Sequence, residues 1–288
     1  MKEVQHHYVT GNGINFHVVT AGPEDGRPVM LLHGFPDFWY GWNAQIAVLA
    51  EAGYRVIAPD LRGYNLTDKP KMVSDYKIDV LMEDVIALIN AFGYDQVLLA
   101  AHDWGAAVAW WLVKHRPEYV ERVVILNVPY PTFAKVALQR GLFIQLLKSW
   151  YIYFFQIPWL PEFLLRWSGR SMRRNPLVVS SHKDTFSADD LARYQAAWEK
   201  PGAWTAMLNW YRAALRTLAL SDYPAEGSIL VPTLILWGEQ DIALDKRLAE
   251  LSAKLCASSE LVMYPEATHW VHHDVTEKVN QELLRFFR

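Results

Sequence analysis

In the stretch LLAAHDWGAA, residues 98–107, an apolar run ends among small residues around Asp103 and passes at once into the helix-like AVAWWLVKH. A strand that turns this tightly into a helix exposes the residue at its tip, which in the pattern G-x-S-x-G is a serine nucleophile. Here the tip carries a carboxylate. Two further groups follow comparable apolar runs: Asp241 after PTLILWGEQ and His269 after ELVMYPEAT. Ligands of open α/β sheets bind beyond the carboxyl ends of the strands, so all three groups are expected in one place. Nucleophile, acid, histidine is a known chain order for a triad built on strand ends. A third strand end supplies HGFP, His33 to Pro36. Its backbone N–H can face the nucleophile and, with the N–H of the residue after the nucleophile, form an oxyanion hole. The expected donors are Phe35 and Trp104, and His33 reads as structural.

These residues need a scaffold, and the rest of the chain describes one. INFHVVTAG and GRPVMLLHGFP read as strands, DVLMEDVIALINAFG as a helix closed by a glycine, QVLLAAHDWG as strand and elbow, AAVAWWLVKHRPEYV as helix and ERVVILNVP as strand. Alternating strand and helix predicts a mostly parallel sheet flanked by helices, with strands buried on both faces. The rhythm breaks at Pro129. Residues 130–224 are aromatic, carry arginines and show helical periodicity in ADDLARYQAAWEK and AWTAMLNWYRAALRTLAL; the strand pattern resumes at SILVPTLILWGEQD. The expected organisation is a core of residues 1–129 and 225–288 interrupted by a helical cap of residues 130–224.

Composition narrows the function. The 288 residues are 52% hydrophobic and 20% charged, with a formal net charge of -3 and no basic block, so a nucleic-acid partner is not expected. No charge-free apolar run reaches the roughly 18 residues of a membrane span, and the start MKEVQHHYVT has no signal-like stretch. The expected location is the cytoplasm. The lone Cys256 excludes an internal disulfide. It falls at the end of DKRLAELSAKLC, where a helix is expected. His272 and His273 lie near His269, but no Cys, Glu or Asp accompanies them at ligand spacing. They read as solvent-facing, and no metal or other cofactor is expected.

Taken together, HGFPDFWYGW, PDLRGYNLTDKP, HDWGAAVAW, NVPYP, YIYFFQ, NWYRA, WGEQD and THW resemble the epoxide hydrolase family of the α/β-hydrolase fold almost from end to end. The resemblance implies a two-step hydrolysis of an apolar epoxide by water to a vicinal diol. An epoxide offers an electrophilic sp3 carbon, and a carboxylate ionised at pH 7 attacks it without a base. The resemblance implies an Asp103 ester hydrolysed by water that His269 deprotonates, with Asp241 fixing the tautomer. The other station of this acid, after RVVILN, holds Asn127, which cannot carry the charge. The family also implies two cap tyrosines that protonate the leaving oxygen, here Tyr211 in NWYR and Tyr151 in YIYFFQ. Tyr153 rivals Tyr151, because residues two apart on a helix point differently. Tyr153, Phe155, Trp104 and Phe35 are the expected substrate contacts.

Three departures and two rivals stand beside this reading. Ala101 replaces glycine at the first elbow position, which a negative φ tolerates, and Asn65 and Leu66 stand where relatives more often show glycine and a small residue. A haloalkane dehalogenase would use the same aspartate ester, yet Phe35 stands where some dehalogenases carry a halide-binding asparagine. A non-catalytic receptor for hydrophobic ligands on the same fold would have no use for an intact triad with two tyrosines.

Overall fold

The computed structural model describes residues 4–132, 141–171, 174–217 and 223–288. Its centre is an eight-stranded sheet in the order β1-β2-β4-β3-β5-β6-β7-β8, with β1 Gln5–Gly11, β2 Ile14–Ala21, β3 Pro28–Leu32, β4 Arg55–Pro59, β5 Val97–His102, β6 Val120–Leu126, β7 Thr233–Gly238 and β8 Ser259–Tyr264. The first two strands pair antiparallel, and β2 also runs antiparallel to β4. From β4 through β8 every pairing is parallel. Strands β5 and β7 are buried at every residue, as helices on both faces require. One apolar layer joins Leu99, Val85 and Trp110; the opposite layer joins Leu31, Trp42 and Leu283.

Strand β1 was not foreseen from periodicity. Its sequence QHHYVTG lies at the sheet edge with mostly exposed or half-exposed side chains, so it lacks an apolar alternation. The signal that marks it is the turn: Asn12 and Gly13 both adopt positive φ, 43° and 79°, the conformation that suits a two-residue hairpin. The helix Asp103–His115 also stops earlier than AAVAWWLVKHRPEYV suggests. Pro117 disfavours helical backbone at Arg116 and opens a short 3-10 turn before β6. Cys256 lies beyond its helix, which ends at Ala253; it is buried beside Ile229 in an isolated bridge.

Between β6 and β7 the described residues form helices Phe143–Lys148, Trp150–Phe154, Leu160–Gly169, Pro176–Ser180, Ala188–Trp198 and Ala203–Thr217, and no strand. Residues 218–220, the tail of AWTAMLNWYRAALRTLAL, lie outside the described residues. Ser187 starts the fifth of these helices with a reciprocal cap: its hydroxyl accepts from the Asp190 N–H at 3.2 Å, and the Asp190 carboxylate accepts from the Ser187 N–H at 2.9 Å. Two indoles tie the insertion to the sheet's loops. Trp198 Nε1–H donates to the Pro36 carbonyl at 2.5 Å, and Trp210 Nε1–H donates to the Arg62 carbonyl at 2.9 Å. Asn65, in the second of these loops, has φ of 37° and donates to Asp60 at 2.8 Å. Asparagine is among the residues that best tolerate this backbone, which explains how it stands in a glycine-like position. No helix among the described residues is long and apolar enough to cross a membrane.

Candidate active site

Strand β5 delivers Asp103 in a conformation that a non-glycine residue rarely adopts, with φ of 48°. Backbone held there costs on the order of 1–3 kcal/mol and persists only where surrounding contacts impose it. The imposing contacts are close. A Cβ added to Gly105 would stand 2.5 Å from the Leu32 and His33 carbonyl oxygens, and one added to Gly34 would stand 2.2 Å from Asp103 Cβ. The loop after β3 therefore presses directly on the elbow. Ala101 is not among the residues with positive φ, so its methyl group is accommodated.

This close approach brings the Phe35 N–H to Asp103 Oδ1 at 2.5 Å. Trp104 is the second residue of the helix Asp103–His115, so its N–H has no acceptor within the helix and points toward the same end. His269 Nε2 lies 3.4 Å from Asp103 Oδ2, while His269 Nδ1 contacts Asp241 Oδ2 at 2.7 Å. Asp241 is fully enclosed, and its other oxygen accepts from the Ala243 and Leu244 N–H groups at 2.7 and 2.9 Å. The three sequence-expected groups thus form one chain of contacts from Asp103 to Asp241.

Asn127, set aside in the sequence as unable to carry charge, has a defined place. Its amide donates to Asp241 Oδ2 at 3.0 Å and to the Gly238 carbonyl at 3.2 Å, and its carbonyl accepts from the Gly238 N–H at 2.7 Å. It braces the acid from the adjacent strand. His33 is buried and accepts from the Leu61 N–H at 3.0 Å, a structural position.

Burial disfavours ionisation of Asp103 and Asp241, yet His269 outweighs it at both, and each carboxyl sits below the ordinary carboxylate range. Burial likewise opposes a charge on His269, but Asp241 and then Asp103 lift the imidazole well above its usual value. The resting site is an imidazolium held between two carboxylates. Tyr151 and Tyr211 lie together beside the site, with ring centroids 5.8 Å apart. Tyr211 also meets Phe35 at 5.2 Å, Trp104 at 5.0 Å and Phe155 at 4.9 Å. Burial, reinforced by the Asp103 charge, pushes both phenols up, so they remain protonated donors. Tyr153 departs from the sequence expectation. It is 62% exposed on the outer side of its helix, away from this cluster, because the inward positions go to Tyr151 and Phe155.

The expectation of solvent-facing histidines at 272 and 273 is also corrected. The short helix Val271–Asp274 turns His272 inward, stacked on Trp42 at 4.8 Å and tilted against His102 at 4.5 Å, and leaves His273 half-buried. His102 Nε2–H donates to the His269 carbonyl at 2.9 Å. Asp37, His102 and His272, far apart in sequence, bring one ligand-capable atom each within 4.8 Å of one another. Burial holds all three neutral: it raises Asp37 to about 8, lowers His102 to about 3 and lowers His272 well below the usual imidazole value. They form a neutral polar pocket behind His269.

This pocket gives a pH-dependent result. Asp37 has an ordinary value of 3.8 and a folded value of about 8, so folding takes up a proton between these limits. Its contribution is complete below about pH 4 and is lost as pH rises to about 8, at up to about 1.4 kcal/mol per pH unit. Asp37→Asn is expected to melt at nearly the wild-type temperature at pH 4 and progressively above it toward pH 8. A constant gap across that range would contradict the assignment.

Comparison with known proteins agrees with this geometry. The family described as alpha/beta hydrolase fold matches residues 27–275. The chain is 44% identical to the AB hydrolase superfamily protein YfhM of Bacillus subtilis, over 100% of this chain and 99% of that one. It is 36% identical to epoxide hydrolase 4 of Homo sapiens, over 97% of this chain and 77% of the relative. Among solved structures, an inhibitor complex of the Bacillus megaterium epoxide hydrolase superposes with a TM-score of 0.86 at 31% identity, covering 98% of this chain and 99% of that one. A point mutant of the same enzyme, complexed with its product (R)-3-[1]naphthyloxy-propane-1,2-diol, gives 0.85 at the same identity and coverage. The sheet order, the strained aspartate and these matches together place the chain in the α/β-hydrolase fold family, among its epoxide hydrolases.

Proposed function

We propose that residues 130–224 act as a cap over a core of residues 1–129 and 225–288, and that the enzyme opens apolar epoxides in the cytoplasm through an ester on Asp103. In the first step Asp103 Oδ2 attacks an epoxide carbon, a C–O bond forms as the ring C–O bond breaks, and Tyr151 and Tyr211 supply hydrogen bonds and a proton to the leaving oxygen. In the second step His269 takes a proton from water, which attacks the Asp103 acyl carbon. The charge on oxygen is received by the Phe35 and Trp104 N–H groups; collapse breaks the bond between the acyl carbon and Oδ2, and the departing oxygen takes the proton of the new Asp103 carboxylic acid as the diol leaves.

Esterification also solves a difficulty in the resting electrostatics. An imidazolium cannot act as a base, and Asp103 is one of the two carboxylates that hold His269 protonated. Alkylation removes that charge, so the affinity of His269 for its proton falls; that proton passes to the phenolate left by protonation of the alkoxide, and His269 is neutral when a base is needed.

The observation that carries this reading is the pair of phenols, Tyr211 buried and Tyr151 half-buried, that meet at 5.8 Å and both feel the Asp103 charge, an arrangement suited to an alkoxide leaving group. A halide has no need of two acidic O–H donors. The substrate class follows from the aromatic surround of Phe35, Trp104 and Phe155, and the naphthyloxy diol held by the Bacillus megaterium relative favours aryl-bearing terminal epoxides.

The test is diol release from styrene oxide and from a phenyl glycidyl ether, with a chloroalkane as control. Wild type is expected to release diol and no chloride. Tyr151→Phe and Tyr211→Phe should each lower kcat/KM by about 10- to 1000-fold, the usual reach of one positioned acid, while Tyr153→Phe stays within twofold. Chloride release without diol, or equal losses at Tyr151 and Tyr153, would overturn the reading.

A further inference from the structure

Three successive helices of the insertion carry large apolar side chains into solvent. Phe143, Leu147 and Trp150 follow one another at helical spacing and are 62%, 74% and 63% exposed; Trp159, Phe163 and Trp167 do the same and are 75%, 65% and 53% exposed. A water-facing monomer rarely displays so many large apolar side chains on successive helices without a partner. Trp159 adds an independent sign. It holds φ of 54°, a strained backbone for a bulky residue, while leaving its indole in water.

Charge identifies the partner. Residues 141–183 carry six Lys and Arg against one acid, Glu162, in a chain whose formal net charge is -3. That acid is taken by Arg212 at 2.8 Å. Arg166, on the same helix as Phe163 and Trp167, and Arg170, just past its end, are exposed, with Glu199 facing Arg170 at 3.3 Å, and Arg174 stacks over the Trp167 ring at 4.5 Å. Tryptophan, phenylalanine and leucine among arginines form the composition that settles at a bilayer interface and is drawn to anionic headgroups. A second copy is a poorer partner, because a twofold contact would set this cationic face against itself. We propose that the face formed by helices Phe143–Lys148, Trp150–Phe154 and Leu160–Gly169 seats the protein on an anionic lipid surface. The inward sides of the same helices carry Tyr151 and Phe155, so lipid-dissolved epoxide would meet the enzyme at its substrate-facing segment. That consequence rests on the function proposed above, whereas lipid binding does not.

Vesicle flotation of the whole chain tests it, using phosphatidylcholine alone and phosphatidylcholine mixed with phosphatidylglycerol. Wild type is expected to float with the mixed vesicles and several-fold less with the neutral ones, with the difference erased by high salt. Phe163→Gln/Trp167→Gln and Arg166→Glu/Arg170→Glu should each reduce binding at least about fivefold, with melting temperature and diol formation from soluble epoxide unchanged. Three results would overturn the proposal: no flotation with either vesicle, equal flotation of wild type and both variants, or a wild-type dimer that Phe163→Gln/Trp167→Gln makes monomeric while neither form binds vesicles. If diol formation fails while flotation behaves as expected, the function is wrong and the lipid surface stands.

Discussion

His269→Gln is expected to react with epoxide once and stop. The carboxylate needs no base for its attack, so one equivalent of substrate should add to the protein, visible as an intact-mass increase equal to the epoxide and mapped to the peptide containing Asp103. Hydrolysis of the ester does need a base, and kcat should fall by about 100- to 10,000-fold. The geometry separates the two roles: Nε2 stands 3.4 Å from the carboxylate, near where a water would approach the acyl carbon, and Nδ1 is committed to Asp241 at 2.7 Å. Glutamine is close to histidine in reach and keeps a polar contact with Asp241. Absence of the adduct in a folded variant would place histidine before ester formation and refute the assignment.

Asp103→Ala should abolish both steps. With the nucleophile gone, no covalent adduct can form, and diol production should fall by at least about 10,000-fold, the scale seen when an enzyme loses its nucleophile. The variant is also expected to fold, because Asp241 still holds His269 and the sheet does not depend on the carboxylate, although the Phe35 N–H loses its acceptor. Its φ of 48° remains unfavourable for alanine, so a modest drop in melting temperature is expected with an unchanged circular-dichroism spectrum. Residual turnover within tenfold of wild type would mean that water attacks the epoxide directly.

Asp103, Asp241 and His269 were legible in the sequence for a physical reason: strands buried on both faces read as uninterrupted apolar runs, and polar residues after them stand out. The approach of the Phe35 N–H to Asp103 was legible from HGFP for the same reason. Other features depended on contacts that no local pattern records. Asn127 reads as a failed acid in sequence and as a brace for Asp241 in space, because β6 and β7 are neighbours although more than a hundred residues separate them. The choice between Tyr151 and Tyr153 turned on which side of a five-residue helix meets Phe155 and Tyr211. His272 followed the same logic. A pair of histidines on a short helix looks polar and outward, until the next layer, Trp42 and His102, closes over one of them.

The contact between the Phe35 N–H and Asp103 Oδ1 has a consequence for the identity of oxygen atoms. With Oδ1 engaged there at 2.5 Å, Oδ2, held only by the longer 3.4 Å contact with His269 Nε2, is the atom placed to attack, and in the ester mechanism Oδ2 leaves within the diol. The attacking water supplies its replacement, while Oδ1 returns to the same N–H. As long as the carboxylate does not flip, each diol carries the oxygen that the preceding cycle left on the enzyme. The product therefore has an isotopic memory one cycle long, and Oδ1 stays with the protein for its lifetime.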